Sequence, residues 1–572
     1  MPRKLYIAFI WNQHQPYYKD TLTNEFIMPW TRLHATKDYY QMAALLEEYP
    51  RIKQTFNLTP SLLLQLEEYI SDSAQDNYQK AMKPSQQLTL EDKMFILTHY
   101  FDIQWEKVIE KHYYYKRLLE MQGRVGSRGD ITSALERYTL QDYLDLQVWF
   151  NMVWISPRIR LEDPYLRSLQ EKGRNFIEKD KEKVVNKQKE IMEQVIPIHA
   201  RLQQKGQIEL ITTPFYHPIL PLIIDSHSAL RSSPGLPLPD RYTFKEDAAA
   251  QLEQAKEQFK QYFKVEPKGV WPPEQAVSPE VVPLFNDLNF SWTVSDEQIL
   301  ASSLQGEIYR DGYGHVLNPE TLYQPYLITY QGAEINMIFR DHHLSDRIGF
   351  EYQHMRGKDA AEDLIHRFHK IKENLKDAPG NYLVTIALDG ENAWEWYPAD
   401  KEEFLHHLYG RLQQDSELET VTVSDFLAQN PPRRHLRNLS TGSWVDHALT
   451  RWIGTEKKNA LWNILLKARQ KIAVLEEKEG KSPRVRKALQ NIYMAEGSDY
   501  TWWVDSMPYY LAAPFEALFR KHIVNVYHHL EEEVPPELMR SVLTNKQKGF
   551  FKGKAHLSGP VAMVHSFQSE KS

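Results

Sequence analysis

What most constrains this chain is an alternation of two patterns. Short apolar runs rich in β-branched residues recur between long stretches of helical periodicity. The runs are Leu5 to Trp11, Ile52 to Leu58, Ile208 to Thr213, Gly269 to Trp271, Phe290 to Val294, Ile335 to Phe339 and Tyr382 to Leu388. Between them lie segments such as Arg174 to Lys205, where Ile177, Val184, Ile191 and Ile198 recur at helical spacing and Pro197 predicts a kink. This order predicts an α/β fold, a mostly parallel sheet joined by crossover helices. Several runs end in polar residues: His14-Gln15, His217, Glu274, Arg340-Asp341 and Asp389. In a closed α/β barrel such strand-end residues converge at one mouth. Seven strands favour a barrel, with an open sheet as the alternative.

A chain of 572 residues has room for a second unit. The consecutive prolines of Gln429-Asn430-Pro431-Pro432-Arg433-Arg434 interrupt the pattern, so a boundary is expected between residues 1–429 and 430–572. Beyond it, Asn459 to Lys478, Arg484 to Met494 and Met507 to Leu530 read as helices. From Lys546 onward the pattern weakens to a short strand pair or a loose tail. The net charge of -7, without a basic stripe, argues against a nucleic-acid partner. The absence of cysteine removes disulfides, thiolate metal sites and cysteine nucleophiles, and suits a reducing compartment. No small-residue cleavage site follows the Leu5–Trp11 run, which reads as a buried strand and not a signal peptide. No apolar stretch approaches the ~20 residues of a membrane span. A cytoplasmic protein without a membrane partner is expected.

Two segments carry most of the chemistry. In Gly269-Val270-Trp271-Pro272-Pro273-Glu274 a strand stops at a rigid Pro-Pro turn and presents a carboxylate beside a tryptophan. A fixed carboxylate near an aromatic platform suits a sugar site, though a surface Glu beside a core Trp has the same sequence. In Ala387-Leu388-Asp389-Gly390-Glu391-Asn392-Ala393-Trp394 a strand opens into acids, an amide and an aromatic. A carboxyl that donates a proton needs a raised pKa, from burial or from a neighbouring carboxylate such as Glu391. Asp-Gly also makes ordinary turns. A third segment, Arg340-Asp341-His342-His343, follows another strand. Its arginines favour ionised Asp341, which leaves that residue a fallback acid in a binding or structural loop. His14-Gln15 and His217 offer one donor and one acceptor per neutral ring for sugar hydroxyls.

In order along the chain, His14-Gln15-Pro16, Glu209 to Pro221, Trp271 to Glu274, Asp389 to Trp394 and Ala495-Glu496-Gly497-Ser498-Asp499-Tyr500-Thr501-Trp502-Trp503 resemble the five sequence regions of glycoside hydrolase family 57. The resemblance implies an incomplete (β/α)7 barrel followed by helices, a retaining mechanism on α-glucans and no obligatory cofactor or metal. It implies Glu274 as nucleophile and Asp389 as general acid/base. His14, His217, Trp271, Glu391 and Trp394 would line the substrate cleft, and Glu496, Asp499, Trp502 and Trp503 would reach it from the helical unit. The Asp389-Gly390-Glu391-Asn392 run is most similar to amylase and amylopullulanase members, whereas Tyr500-Thr501 departs from the larger aromatics many of them carry. The expected partner is an α-glucan or maltooligosaccharide. A glucanotransferase or branching enzyme of the same family is the first alternative. A metal-dependent carbohydrate deacetylase, using Asp341 with His14, His217 or His342, is the alternative of another class.

Overall fold

Leu5–Gln13 is buried along almost its whole length, as a strand must be when it has neighbours on both sides and layers on both faces. In the computed structural model, which describes residues 4–123 and 131–543, it is β1 of a ring of strands. The others are β2 (Gln54–Leu58), β3 (Ile208–Ile211), β4 (Gly269–Val270), β5 (Trp292–Asp296), β6 (Ala333–Arg340) and β7 (Leu383–Asp389). Each overlaps one of the seven predicted runs. β1 pairs in parallel with β7 and β2, and β2 pairs with β3. A second parallel ladder joins β4, β5 and β6. A single parallel bridge, Thr212 to Val270, connects the two ladders.

The seam between β6 and β7 holds no ladder among the described residues. Instead, the Asp341 N–H donates to Thr385 O at 2.8 Å and Arg340 Nη1 donates to Ala387 O at 3.2 Å. The ring is thus an incomplete (β/α)7 barrel. Its interior is one apolar cluster that includes Ala8, Ile10, Ile211, Trp292, Val294, Ile338 and Ala387, the alternate positions that a period of two turns inward. Gly269 is required here: a Cβ at that position would lie 2.4 Å from the Trp292 ring.

The long predicted helix forms as α1 (Glu178–Gln204) and runs through Pro197. Val184, Ile191 and Ile198 are buried on it, whereas Ile177 precedes the first turn and is exposed. The C-terminal unit supplies α2 (Glu456–Glu479), α3 (Pro483–Ala495) and α5 (Tyr509–Leu530), which overlap the predicted helices, and between the last two a short α4 (Ser498–Trp503) that is not among them. The tail expected from Lys546 onward lies outside the described residues. Just after the Pro-Pro pair, Arg434–Leu436 pairs with Tyr326–Tyr330, which in turn pairs antiparallel with β6. The helical unit joins the barrel where Pro218 bridges Gly497 and Ser498 N donates to His217 O at 3.1 Å. Among the described residues, no helix is long and apolar enough to cross a membrane.

Candidate active site

Beyond β4, Trp271 N still donates to Thr212 O, and then the Pro-Pro pair ends the extended backbone. Glu274 and Gln275 follow at φ 56° and φ 50°, two consecutive non-glycine residues in the left-handed region. Such a conformation costs about 1–3 kcal/mol per residue and persists only where the surroundings enforce it. Here Trp444 donates twice to Glu274, from its backbone N to the carbonyl at 3.2 Å and from Nε1 to Oε2 at 2.8 Å. Ser295 Oγ donates to the Gln275 carbonyl at 3.0 Å. The turn aims the Glu274 carboxylate into a cleft of about 390 Å³.

Asp389, the last residue of β7, lines the same cleft. In register with Asn12 on β1, it accepts from Asn12 Nδ2 at 2.9 Å and from Asn392 Nδ2 at 3.0 Å. Burial, reinforced by the charge of Asp389, pushes the Glu274 carboxyl up to about 8. Burial also raises Asp389, while the Asn12 amide and His14 pull it back. Two carboxyl groups that resist joint ionisation retain a proton near neutral pH. This is the requirement for a pair that must include one acid and one base.

Around the pair stand several predicted residues. His14 Nε2 lies 3.1 Å from Asp499 Oδ2. Burial opposes its protonation, but Asp499, with Glu274 and Asp389 beyond, outweighs burial and raises its pKa. Gln15 Nε2 donates to Glu391 Oε1 at 3.3 Å, and both residues line the cleft. Burial, with Asp389 nearby, drives Glu391 well above the usual carboxylate range. Arg340 is clamped by Asp296 at 2.7 Å and lies over the Trp444 ring at 4.8 Å. Trp502 and Trp503, from α4, complete the wall.

Other predicted residues are not brought to the cleft. Trp271 is fully buried in the barrel interior and meets the wall only through its edge-on contact with Trp444. Trp394 is fully buried too: Nε1 donates to Gly390 O at 2.7 Å and the ring packs on Trp11. Glu496 is tied down by Tyr242 OH at 2.7 Å and Gln251 Nε2 at 2.6 Å. Asp341, the fallback acid, is buried in an ion pair with Arg310 at 3.0 Å, accepts from Tyr323 OH and caps the following short helix. That arrangement removes it from proton transfer and from the metal set of the deacetylase alternative. His217 sits behind His14, its ring stacked at 3.8 Å.

Ring nitrogens of His14 and His217 and a carboxylate oxygen of Asp499 lie within 4.8 Å of one another, and His217 Nε2 is buried without a hydrogen-bond partner. Among the described residues, this trio is the set that could receive a cation. The sequence reading passed over Trp444, which lies 170 positions from Glu274 in a segment without periodicity. His342, offered by the sequence only as a ligand of the deacetylase alternative and within the third segment, also lines the cleft; burial disfavours it as a cation, but Asp296 and Asp346 raise it to about 10.

An incomplete parallel barrel with two raised carboxyls in an aromatic-walled cleft defines an enzyme of the glycoside hydrolase class. The sequence model of Glycosyl hydrolase family 57 matches residues 8–437, and the chain belongs to that family. It is similar to the 4-α-glucanotransferase of Thermococcus kodakarensis, 25% identical over 240 residues, a match that spans 41% of this chain and 29% of that enzyme. Two solved structures share the fold. A branching enzyme of Thermococcus kodakaraensis has a TM-score of 0.58 at 15% identity, covering 93% of both chains. The α-amylase AmyC of Thermotoga maritima has a TM-score of 0.57 at 14% identity, covering 94% of this chain and 96% of the other.

Proposed function

We propose that the chain is a retaining α-glucan-active glycosidase of the α-amylase or amylopullulanase type. Glu274 is the nucleophile and Asp389 the general acid/base. The observation that carries this reading is the convergence of both carboxyls, each raised by burial, on one cleft walled by Trp444, Trp502 and Trp503. Residues 1–429 form the catalytic unit, and 430–572 supply Trp444 and the α4 side of the cleft. The cysteine-free composition suits a cytoplasmic location.

The cycle has two displacements. Asp389 protonates the glycosidic oxygen as Glu274 attacks the anomeric carbon, giving a covalent glycosyl-enzyme. Asp389, now a base, then takes a proton from the acceptor that attacks this intermediate. Before substrate binds, the proton favours Glu274, since among the described residues Asp389 accepts from two side-chain amides and the Glu274 carboxylate from Trp444 Nε1 alone. Substrate reverses that preference. The leaving oxygen accepts a hydrogen bond only from a protonated Asp389, while positive charge developing at the anomeric carbon favours ionised Glu274. Stacking on the tryptophans would hold the sugar in place.

The second reading is glycosyl transfer, in which a sugar hydroxyl replaces water in the second step. Trp502 and Trp503 favour it by presenting apolar surface to the cleft, and so do the names of the glucanotransferase and branching-enzyme relatives. Chromatography of the products from one maltooligosaccharide tests the two. Hydrolysis yields only shorter chains, and products longer than the input would replace it with transfer. Full activity in Asp389→Ala would overturn the acid assignment.

A further inference from the structure

A second cavity, of about 800 Å³, is lined in part by the same loop after β7 that lines the cleft. The loop after β7 gives Asp389, Glu391 and Asn392 to the cleft, and Trp394, Glu395 and Tyr397 to this second cavity. The charges around it do not balance locally. Among its carboxylates, Glu162 is paired with Arg158, Asp400 with Lys37 and Glu402 with His406. Glu403 accepts from Gly357 N at 3.0 Å. Burial, against the pull of Lys37, pushes Glu395 up to about 7 and thins its charge.

Among the described residues, three cations on the same walls make no ion pair, although the charge of Asp400, itself paired with Lys37, reaches Arg160 and Lys111. Arg160 is only 7% exposed, its Nε is buried without an acceptor, and its side chain is held by Gln170 Oε1 alone at 3.3 Å. Lys111 Nζ donates to the Pro398 carbonyl, a neutral acceptor. Half-buried Lys107 makes no ion pair among the described residues. Burial lowers the Lys111 pKa; Asp400 opposes that fall, and Lys107 and Arg160 add to it. Burial, with Arg160 and Lys111, pulls His112 down to about 4, leaving a neutral ring that both donates and accepts.

A guanidinium buried without its counter-ion is costly unless a ligand supplies one. The fork of an arginine beside two ammonium groups and a neutral imidazole matches a doubly charged tetrahedral oxyanion better than a single carboxylate. The cavity is also much larger than such an ion needs. We propose that it binds a phosphate monoester, with the phosphoryl group on Arg160, Lys107 and Lys111 and the organic body in the remaining volume, as an effector of the adjoining catalytic loop. The binding site stands independently of the proposed function. Its effect on turnover rests on Asp389 acting as the acid/base.

The test is calorimetric titration of the full chain with inorganic phosphate, glucose 1-phosphate and AMP, each with and without saturating maltotriose. Saturable binding that maltotriose does not displace is expected for at least one of the three, and the tightest ligand identifies the source of the phosphoryl group. Affinity should fall at least about tenfold in Arg160→Gln and in Lys107→Gln/Lys111→Gln. The second variant alters only less buried residues and keeps the test open if the first fails to fold. Glu274→Gln should bind as wild type does, which separates this site from the catalytic reading. No saturable binding of any of the three, or undiminished affinity in the lysine variant, would overturn the site. A kcat/KM that stays within about twofold at saturating ligand would overturn the effector role.

Discussion

At the residue scale the account turns on how one tryptophan and two amides divide a proton between two carboxyls. Trp444 Nε1 is the side-chain donor to Glu274, and it opposes the rise to about 8 that burial and Asp389 cause. The pair retains the proton the leaving oxygen needs until pH passes that value, so activity should fall on an alkaline limb near pH 8. Trp444→Phe keeps an aromatic ring and deletes the donor. It should lower kcat by about tenfold and move the alkaline limb to higher pH, because a hydrogen bond to a charged group is worth about 1.5–3 kcal/mol. A pH–rate profile of both proteins checks this, and an unmoved limb would detach Trp444 from Glu274. Trp444 illustrates what sequence could not supply, since nothing local marks a residue that acts through a contact across 170 positions. Trp271 and Trp394 show the converse. Each stands in the right motif, but the backbone decides which neighbour faces the cleft, and both rings turn away from it, Trp271 into the barrel interior and Trp394 toward the second cavity.

At the element scale, the legible part was whatever follows from periodicity. Seven apolar runs become the seven barrel strands, and the amphipathic stretches become helices. Less legible was the break between β6 and β7, where Arg340 and Asp341 replace a ladder with single bonds. Their density of charge reads equally as a binding loop, and Asp341 is instead spent on Arg310 and a helix cap. The junction of barrel and helices is another element-scale device. Gly497 bridges Pro218 and leads into α4, which carries Asp499, Trp502 and Trp503. A Cβ at Gly497 would lie 2.9 Å from Tyr216 O and 3.1 Å from Met494 O. Gly497→Ala should therefore push α4 from the barrel, costing about 1–3 kcal/mol of stability. It should raise KM for maltooligosaccharides more than it lowers kcat, a split that steady-state kinetics and a melting curve resolve. Unchanged kinetics at an unchanged melting temperature would show that the junction does not position α4.

At the scale of the whole molecule, a barrel mouth contributes the proposed reacting carboxyls, and the helices of the C-terminal part contribute the far wall. Asp499 of α4 meets His14 of the segment after β1, 485 positions away, and so ties the two units together at the cleft itself. The central claim is that Glu274 attacks and Asp389 transfers the proton, and azide rescue with α-glucosyl fluoride tests it most directly. In a retaining enzyme, azide replaces the missing nucleophile on the β face, or attacks the glycosyl-enzyme on the α face when the acid/base is missing. The account predicts β-glucosyl azide from Glu274→Ala and α-glucosyl azide from Asp389→Ala. The reverse pair of products would contradict it.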